Sequence, residues 1–375
     1  MKKIILALAF LAICAPAQAQ LGGLLNKASK AKDKVDDVKA KYDKLNISEE
    51  EERKLGSEVS RMIRSRFGVV QDEAVHKYVT LVGTVLAQQT TRPNVPWQFI
   101  VLDTEGVNAF AAPGGFVHVT RGALGLIKNE AELAAVLSHE IGHVVHKHTV
   151  SAITKANAEQ LVGDATLGNR GPYLNRLANM AYHAVLEGSF SRGDELESDA
   201  DSVATTQKLG YAAGTLADFL TRLAERNKNQ PLRNGLFASH PEMQERIDKV
   251  RQLARGKSGA TVEARYKANV KYEATDITKI ATINDGAAGL TGSSKESKDA
   301  KDEDKEKKEE PKKKGFGLGA LKSTVAPEQQ SAQVSASGGA RGVGPDRAAK
   351  GGSNANPVKV AITAAELEAF KKGIA

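Results

Sequence analysis

Cysteine occurs once in the 375 residues, at Cys14, so no disulfide framework can hold this chain together. Aromatic residues are also scarce, at 5%. No run of about 18 uncharged apolar residues occurs, which excludes a multi-spanning helical membrane protein. A strong excess of one charge is missing as well: 53 Lys and Arg against 45 Asp and Glu leave +8. The basic residues are diluted among acids rather than striped, so nucleic acid is not an expected partner. What is present is a hydrophobic fraction of 41%. That is enough for one large core with appendages and too much for a wholly disordered chain.

The organisation follows from shifts in composition. Met1-Lys2-Lys3, the apolar run Ile4 to Ala15 and the small-x-small Ala17-Gln18-Ala19 read as a secretory signal peptide over 1–19. Ile13, just before Cys14, is larger than lipoprotein processing tolerates, so a lipid on Cys14 is not expected. The exported chain would then lack cysteine, which suits a periplasm, with the outer membrane as a further address. Residues 20–47 are rich in Lys, Asp and Ala and read as an exposed helical arm. Ser48 with Glu51 forms a capping-box pattern, and from there to Gly256 the composition is globular. Residues 257–290 are expected to add a short strand-like extension, because Val262, Ala264, Tyr266, Ala268, Val270 and Tyr272 alternate with polar residues. Residues 291–362 are low in complexity and expected to be disordered, and 363–375 to form a short helix started by Thr363 and Glu366.

The chemistry is concentrated between Asn129 and His148, NEAELAAVLSHEIGHVVHKH. Asn129 is a natural cap, and Leu133, Val136, Leu137, Ile141 and Val144 form one apolar arc. Ala134, Ala135, Ser138 and Gly142 form a small-residue face, so the helix is expected to be buried nearly all round. Into it the sequence places His139, Glu140 and His143, which unpartnered would be costly to bury. Two imidazoles four residues apart project from one face and can hold one metal ion. The glutamate beside them can take a proton from a water on that ion: this is the HExxH arrangement.

A third ligand is needed. The metzincin pattern asks for glycine and then histidine where this chain has His146 and Thr149, so that class is excluded. A later helix, opened by Ser191, offers two carboxylate pairs at four-residue spacing, Glu195 with Asp199 and Glu197 with Asp201. In either, one acid would bind metal and the other would accept the free ring N–H of a ligand histidine. His240, in Ser239-His240-Pro241, has three readings. It would be a fourth ligand that keeps the site latent, a donor to the transition-state oxyanion, or a passive histidine beside a helix cap formed by Ser239. Arg246 reads as a structural ion-pair residue, and His76, His118, His146, His148 and His183 as non-ligands, with His146 and His148 a turn too far along the motif helix.

From Ser48 to Gln252 the chain resembles the M48 zinc metallopeptidases, specifically their exported bacterial members. Four blocks carry the resemblance: Asn108-Ala109-Phe110 with Pro113-Gly114-Gly115 and Thr120-Arg121-Gly122; Glu130 to His143; Ser191-Arg192 leading to Glu195 and Asp199; and Ser239-His240-Pro241 with Arg246-Ile247. The family register, with Gly210-Tyr211 following Asp199, selects Glu195 as the metal ligand and Asp199 as its supporting acid. Ser198 departs from the Ala usual there.

The resemblance implies an α+β, mainly helical, gluzincin-like domain over 48–256 with a small β-sheet. It also implies one Zn2+ per chain on His139, His143 and Glu195, with Glu140 as general base. Asn108, Ala109 and Phe110 are implied as an edge strand that binds extended substrate by backbone pairing. The function expected is a metalloendopeptidase acting on misfolded or misassembled envelope proteins. The alternative is a latent or non-catalytic, chaperone-like binder using the same cleft. The partners expected are unfolded protein substrates, and an envelope partner or membrane surface met through the arm and the tail. Removing 291–375 is expected to alter location and leave activity intact.

Overall fold

A computed structural model describes residues 47–156, 170–186, 190–228, 243–279 and 354–374. The signal-peptide, arm and His240 expectations, and most of the tail, lie outside these residues.

Helix α1 (Glu49–Phe67) starts where the capping box places it: Ser48 Oγ accepts from Glu51 N, and Glu51 reaches back to Ser48 N. Asp72 caps α2 (Glu73–Ala87). The strands β1 (Gln98–Leu102), β2 (Ala109–Ala112) and β3 (Phe116–Thr120) form one sheet in the order β1-β3-β2. β1 runs parallel to β3, and β2 antiparallel, with Phe110 opposite His118. Successive side chains point to opposite faces of a strand. Phe99, Val101, Ala109, Val117 and Val119 therefore join one buried cluster, and Ile100, Leu102, Phe110, Ala112 and Phe116 another. Helices cover both faces, which is why the strands read as continuous apolar runs.

α3 (Arg121–Leu126) leads into the motif helix α4 (Glu130–Val145), followed by α5 (His148–Ala156) and α6 (Arg170–Leu186). α1 and α6 close one face of the sheet, while α2 and α4 close the other. α7 (Arg192–Lys208) lies along α4, and α8 (Thr215–Asn227) and α9 (Met243–Leu253) pack behind it. Their close approach needs the small-residue face: a Cβ on Gly142 would stand 3.2 Å from Ser198 Cα. No helix among the described residues is long and apolar enough to cross a membrane.

Two expectations change. Among its described residues, 257–279, the strand-like extension contains a single bridge, Tyr211 with Ala260, and then a helix, α10 (Glu263–Asn269). Its buried or half-buried apolar positions, Val262, Tyr266 and Val270, are four apart, and that spacing satisfies a helical period as well as strict alternation.

The second change concerns the end of the stretch expected to be disordered. Residues 354–362 are placed against the domain: Asn354 is buried, its side-chain amide donates to Asp103, and its carbonyl accepts from Val69 N at 2.6 Å. The terminal helix α11 (Ala364–Lys372) forms with its Thr363–Glu366 capping box. It buries Leu367 and Phe370, followed by Ile374, against α2 and α10.

Candidate metal centre

α4 is buried at every residue from Glu130 to Val144. Asn129 caps it by accepting from Glu132 N at 2.9 Å. Its first residue is anchored by a polar knot in which the Glu130 carboxylate accepts from the hydroxyls of Tyr78 and Tyr211 and from the Arg265 guanidinium. Burial and the adjacent carboxylate push both tyrosines well above the ordinary phenol range. The helix is thus fixed in position before its functional residues are reached.

About two and a half turns further along, the Nε2 atoms of His139 and His143 face each other at 3.1 Å. α7 brings Glu195 to the same point, with Oε2 3.5 Å from His139 and Oε1 3.4 Å from His143. One ligand atom from each of the three lies within 4.8 Å of the others, and all three residues are buried. Asp199, one turn after Glu195, accepts from His139 Nδ1 at 2.8 Å, so His139 presents Nε2 as a lone pair. Of the two carboxylate pairs on α7, Glu195 and Asp199 thus face inward, while Glu197 and Asp201 lie on the outer side.

Arg246 from α9 does more at this point than the sequence suggested. It is 1% exposed and grips both inward acids, with Nη1 at 2.7 Å from Glu195 and Nε and Nη2 at 2.8 and 2.7 Å from Asp199. Burial alone would raise Asp199, but Arg246 and His139 hold its carboxyl well below the usual carboxylate range. The same two acids, with Glu140 nearby, raise Arg246 against its own desolvation.

The charges give a test of metal binding. In their ionised forms the buried Glu140, Glu195 and Asp199 would set three negative charges beside the single Arg246 guanidinium, two in excess. Such an excess is costly in a dry interior, and a divalent cation seated among two imidazole nitrogens and a carboxylate balances it. The donor set and the charge both fit a divalent transition metal.

The other histidines behave differently from the sequence reading in one respect. His76 and His118 are buried non-ligands, bonded to the Val70 carbonyl and to Ser60 Oγ. Desolvation pushes them down to about 4 and about 3. His148, however, is not a turn further along the motif helix. α4 ends at Val145, Lys147 adopts a left-handed φ of 56°, and the chain folds back so that His148 Nδ1 lies 2.9 Å from His143 Nδ1. Phe190, which belongs to no recognisable sequence motif, stacks on the His143 ring at 4.0 Å between centroids. Spacing along an assumed continuous helix could not reveal either contact.

β2, which carries Ala109 and Phe110, is the last strand on one side of the sheet among the described residues; all four of its residues are buried, and α4 packs beside it. Asn108 is buried at its start, with Oδ1 accepting from Ala109 N at 2.8 Å.

Comparison with known proteins adds to this geometry. Residues 73–254 match the sequence model described as Peptidase family M48. The chain is similar to a putative beta-barrel assembly-enhancing protease of Vibrio cholerae, with 28% identity over 212 residues, 53% of this chain and 43% of that one. It is similar to the beta-barrel assembly-enhancing protease of Yersinia pestis, with 26% identity covering 56% and 45%. The mitochondrial metalloendopeptidase OMA1 of Arabidopsis thaliana is 29% identical, covering 51% and 41%. The chain therefore spans less than half the length of these relatives.

Proposed function

With residues 73–254 forming a peptidase family M48 domain, we propose that the protein is a zinc-dependent endopeptidase that hydrolyses peptide bonds in misfolded or misassembled envelope proteins. The observation that carries the reading is the buried His139–His143–Glu195 cluster with Glu140 on the same helix.

His139 and His143 would hold the ion through Nε2, and Glu195 through the carboxylate oxygen that Arg246 does not grip. A zinc ion bound there supplies Lewis acidity, polarising the scissile carbonyl and making a water acidic near neutral pH. The Glu140 carboxylate then takes the proton from the attacking water and passes it to the leaving amide nitrogen. Asp199 keeps His139 in its Nδ1–H tautomer, and Arg246 keeps Asp199 and one oxygen of Glu195 in place. An extended substrate strand pairing with β2 would present its backbone beside α4, a mode that reads main chain and tolerates varied sequences.

The substrate class is supported by the export signal read at residues 1–19 and by relatives whose names describe assembly enhancement of β-barrels. His240 is retained from the sequence as a candidate second catalytic group. The test is cleavage of a denatured protein by the purified chain, with Glu140→Gln alongside. Cleavage lost in the variant supports the peptidase, whereas equal cleavage by both rejects Glu140 as the base. A chain that binds the denatured protein and leaves it intact would be the chaperone-like alternative.

A further inference from the structure

The two ligand histidines are supported in different ways. His139 Nδ1 meets the Asp199 carboxylate directly, while His143 Nδ1 meets a second imidazole, His148 Nδ1, at 2.9 Å. The far nitrogen of that imidazole, His148 Nε2, lies 3.1 Å from Glu197 Oε2. A neutral imidazole has one donor and one acceptor nitrogen, so with both rings neutral and His143 Nε2 kept as the lone pair that ligation needs, the contacts assign the remaining hydrogens. Glu197 accepts from His148 Nε2–H. His148 Nδ1 is then an acceptor and takes the hydrogen of His143 Nδ1–H. His143 Nε2 is left as a lone pair aimed at His139 Nε2 and Glu195.

We propose that His148 and Glu197 are positioning residues for the metal centre, fixing His143 in the tautomer and orientation that ligation requires. The inference rests on the metal-dependent reading of the site above. It makes sense of three otherwise unconnected features: the left-handed turn at Lys147, the histidine immediately after it, and the carboxylate at Glu197 on the outer side of α7. The turn reverses the chain so that the first residue of α5 reaches back to α4. Phe190 on the His143 ring and His146 stacked on His148 at 5.4 Å confine the two rings from the sides. Carboxylate support reaches both ligands, directly through Asp199 on one side and through His148 on the other. Outer supports of this kind are worth about 10- to 100-fold in metal affinity.

The test uses the full chain with His148→Phe, His148→Asn and Glu197→Ala. Phenylalanine keeps a planar ring of similar size without an acceptor, and asparagine offers an oxygen close to the position of Nδ1. Zinc affinity is measured by competition with a chromophoric chelator, and thermal melting confirms folding. His148→Phe should bind zinc about 10- to 100-fold more weakly, Glu197→Ala less so, and His148→Asn should recover most of the loss. Wild-type affinity in His148→Phe, or equal loss in the Phe and Asn variants, would overturn the proposal and leave His148 a packing residue.

A second readout separates this inference from the function it rests on. Long-range 1H–15N NMR of the metal-free protein should show His143 protonated at Nδ1 in the wild type. The preference should be lost in His148→Phe. The tautomer present in a chain that binds no zinc would reject the metalloenzyme and keep the hydrogen-bond relay. Its absence would reject the relay itself.

Discussion

Phe370 makes the sharpest stability prediction, because the sequence placed it in a terminal helix of unknown attachment at the end of a tail expected to be dispensable. In the structure it is 8% exposed, edge-on to Tyr78 with ring centroids 6.3 Å apart, and the Arg265 guanidinium sits 4.0 Å over its ring. Truncating a buried Phe to Ala costs about 3–5 kcal/mol, and a site near the chain end that can relax belongs at the low end, about 3 kcal/mol. For a domain of this size that corresponds to a fall in melting temperature of roughly 6–12 °C. Glu368→Ala, two residues away on the exposed side of the same helix, should change stability by less than about 0.5 kcal/mol. Ending the chain before Asn354 removes Leu367, Phe370 and Ile374 together. At about 1.5–3 kcal/mol each, an upper estimate, their loss approaches the whole stability of a typical domain. Urea and thermal denaturation of the three variants is the assay. A Phe370→Ala loss below about 0.5 kcal/mol would mean that the helix does not dock in solution, and the burial argument would fail with it.

Ser198 is buried against Gly142, and its hydroxyl has no hydrogen-bond partner among the described residues, so Ser198→Ala should raise stability by about 1 kcal/mol. An unchanged or lower urea midpoint would show that the hydroxyl is satisfied. Arg246→Leu leaves the Asp199 and Glu195 carboxylates without their guanidinium and should cost about 3–5 kcal/mol, read by urea denaturation of the metal-free chain. A neutral effect would contradict the charge balance drawn for the site. Glu366 is held down to about 2 by Lys77, with help from the Thr363 cap, against an ordinary 4.5. Its folded form is the weaker proton binder, so its contribution is complete above about 4.5 and is lost as pH falls toward about 2. The stability difference between wild type and Glu366→Ala should therefore be flat near neutrality and close on acidification. A difference that persists at low pH would assign the effect to packing.

The motif helix was legible because its signals agree: a cap at Asn129, a helical apolar period, and histidines at the spacing that one face requires. The choice of Glu195 over Glu197 was not contained in spacing, since both pairs repeat every four residues, and it came from family register. What escaped the sequence shares one physical cause, namely contacts between residues whose relation depends on the path of the chain. A helical pattern continued through Lys147 misplaces His148, because Lys147 takes a left-handed conformation open to few side chains. Arg246 was recognised as an ion-pair residue, but α9 had to be folded against α7 before its partners could be named. The helix at 263–269 carries apolar residues at every second position, a strand pattern, yet the ones it buries are four apart and fit a helical face. The end of the tail was read from composition, and composition does not reveal that Asn354 meets Asp103 across 251 positions.

The metal is central to the function proposed for this site. Quantifying zinc in the purified full-length chain, beside His143→Ala and Glu195→Ala, tests it in one measurement. The site described here predicts one zinc per chain in the wild type and its loss from both variants at the same free zinc concentration. Wild-type protein without zinc, or full occupancy retained in Glu195→Ala, would contradict it.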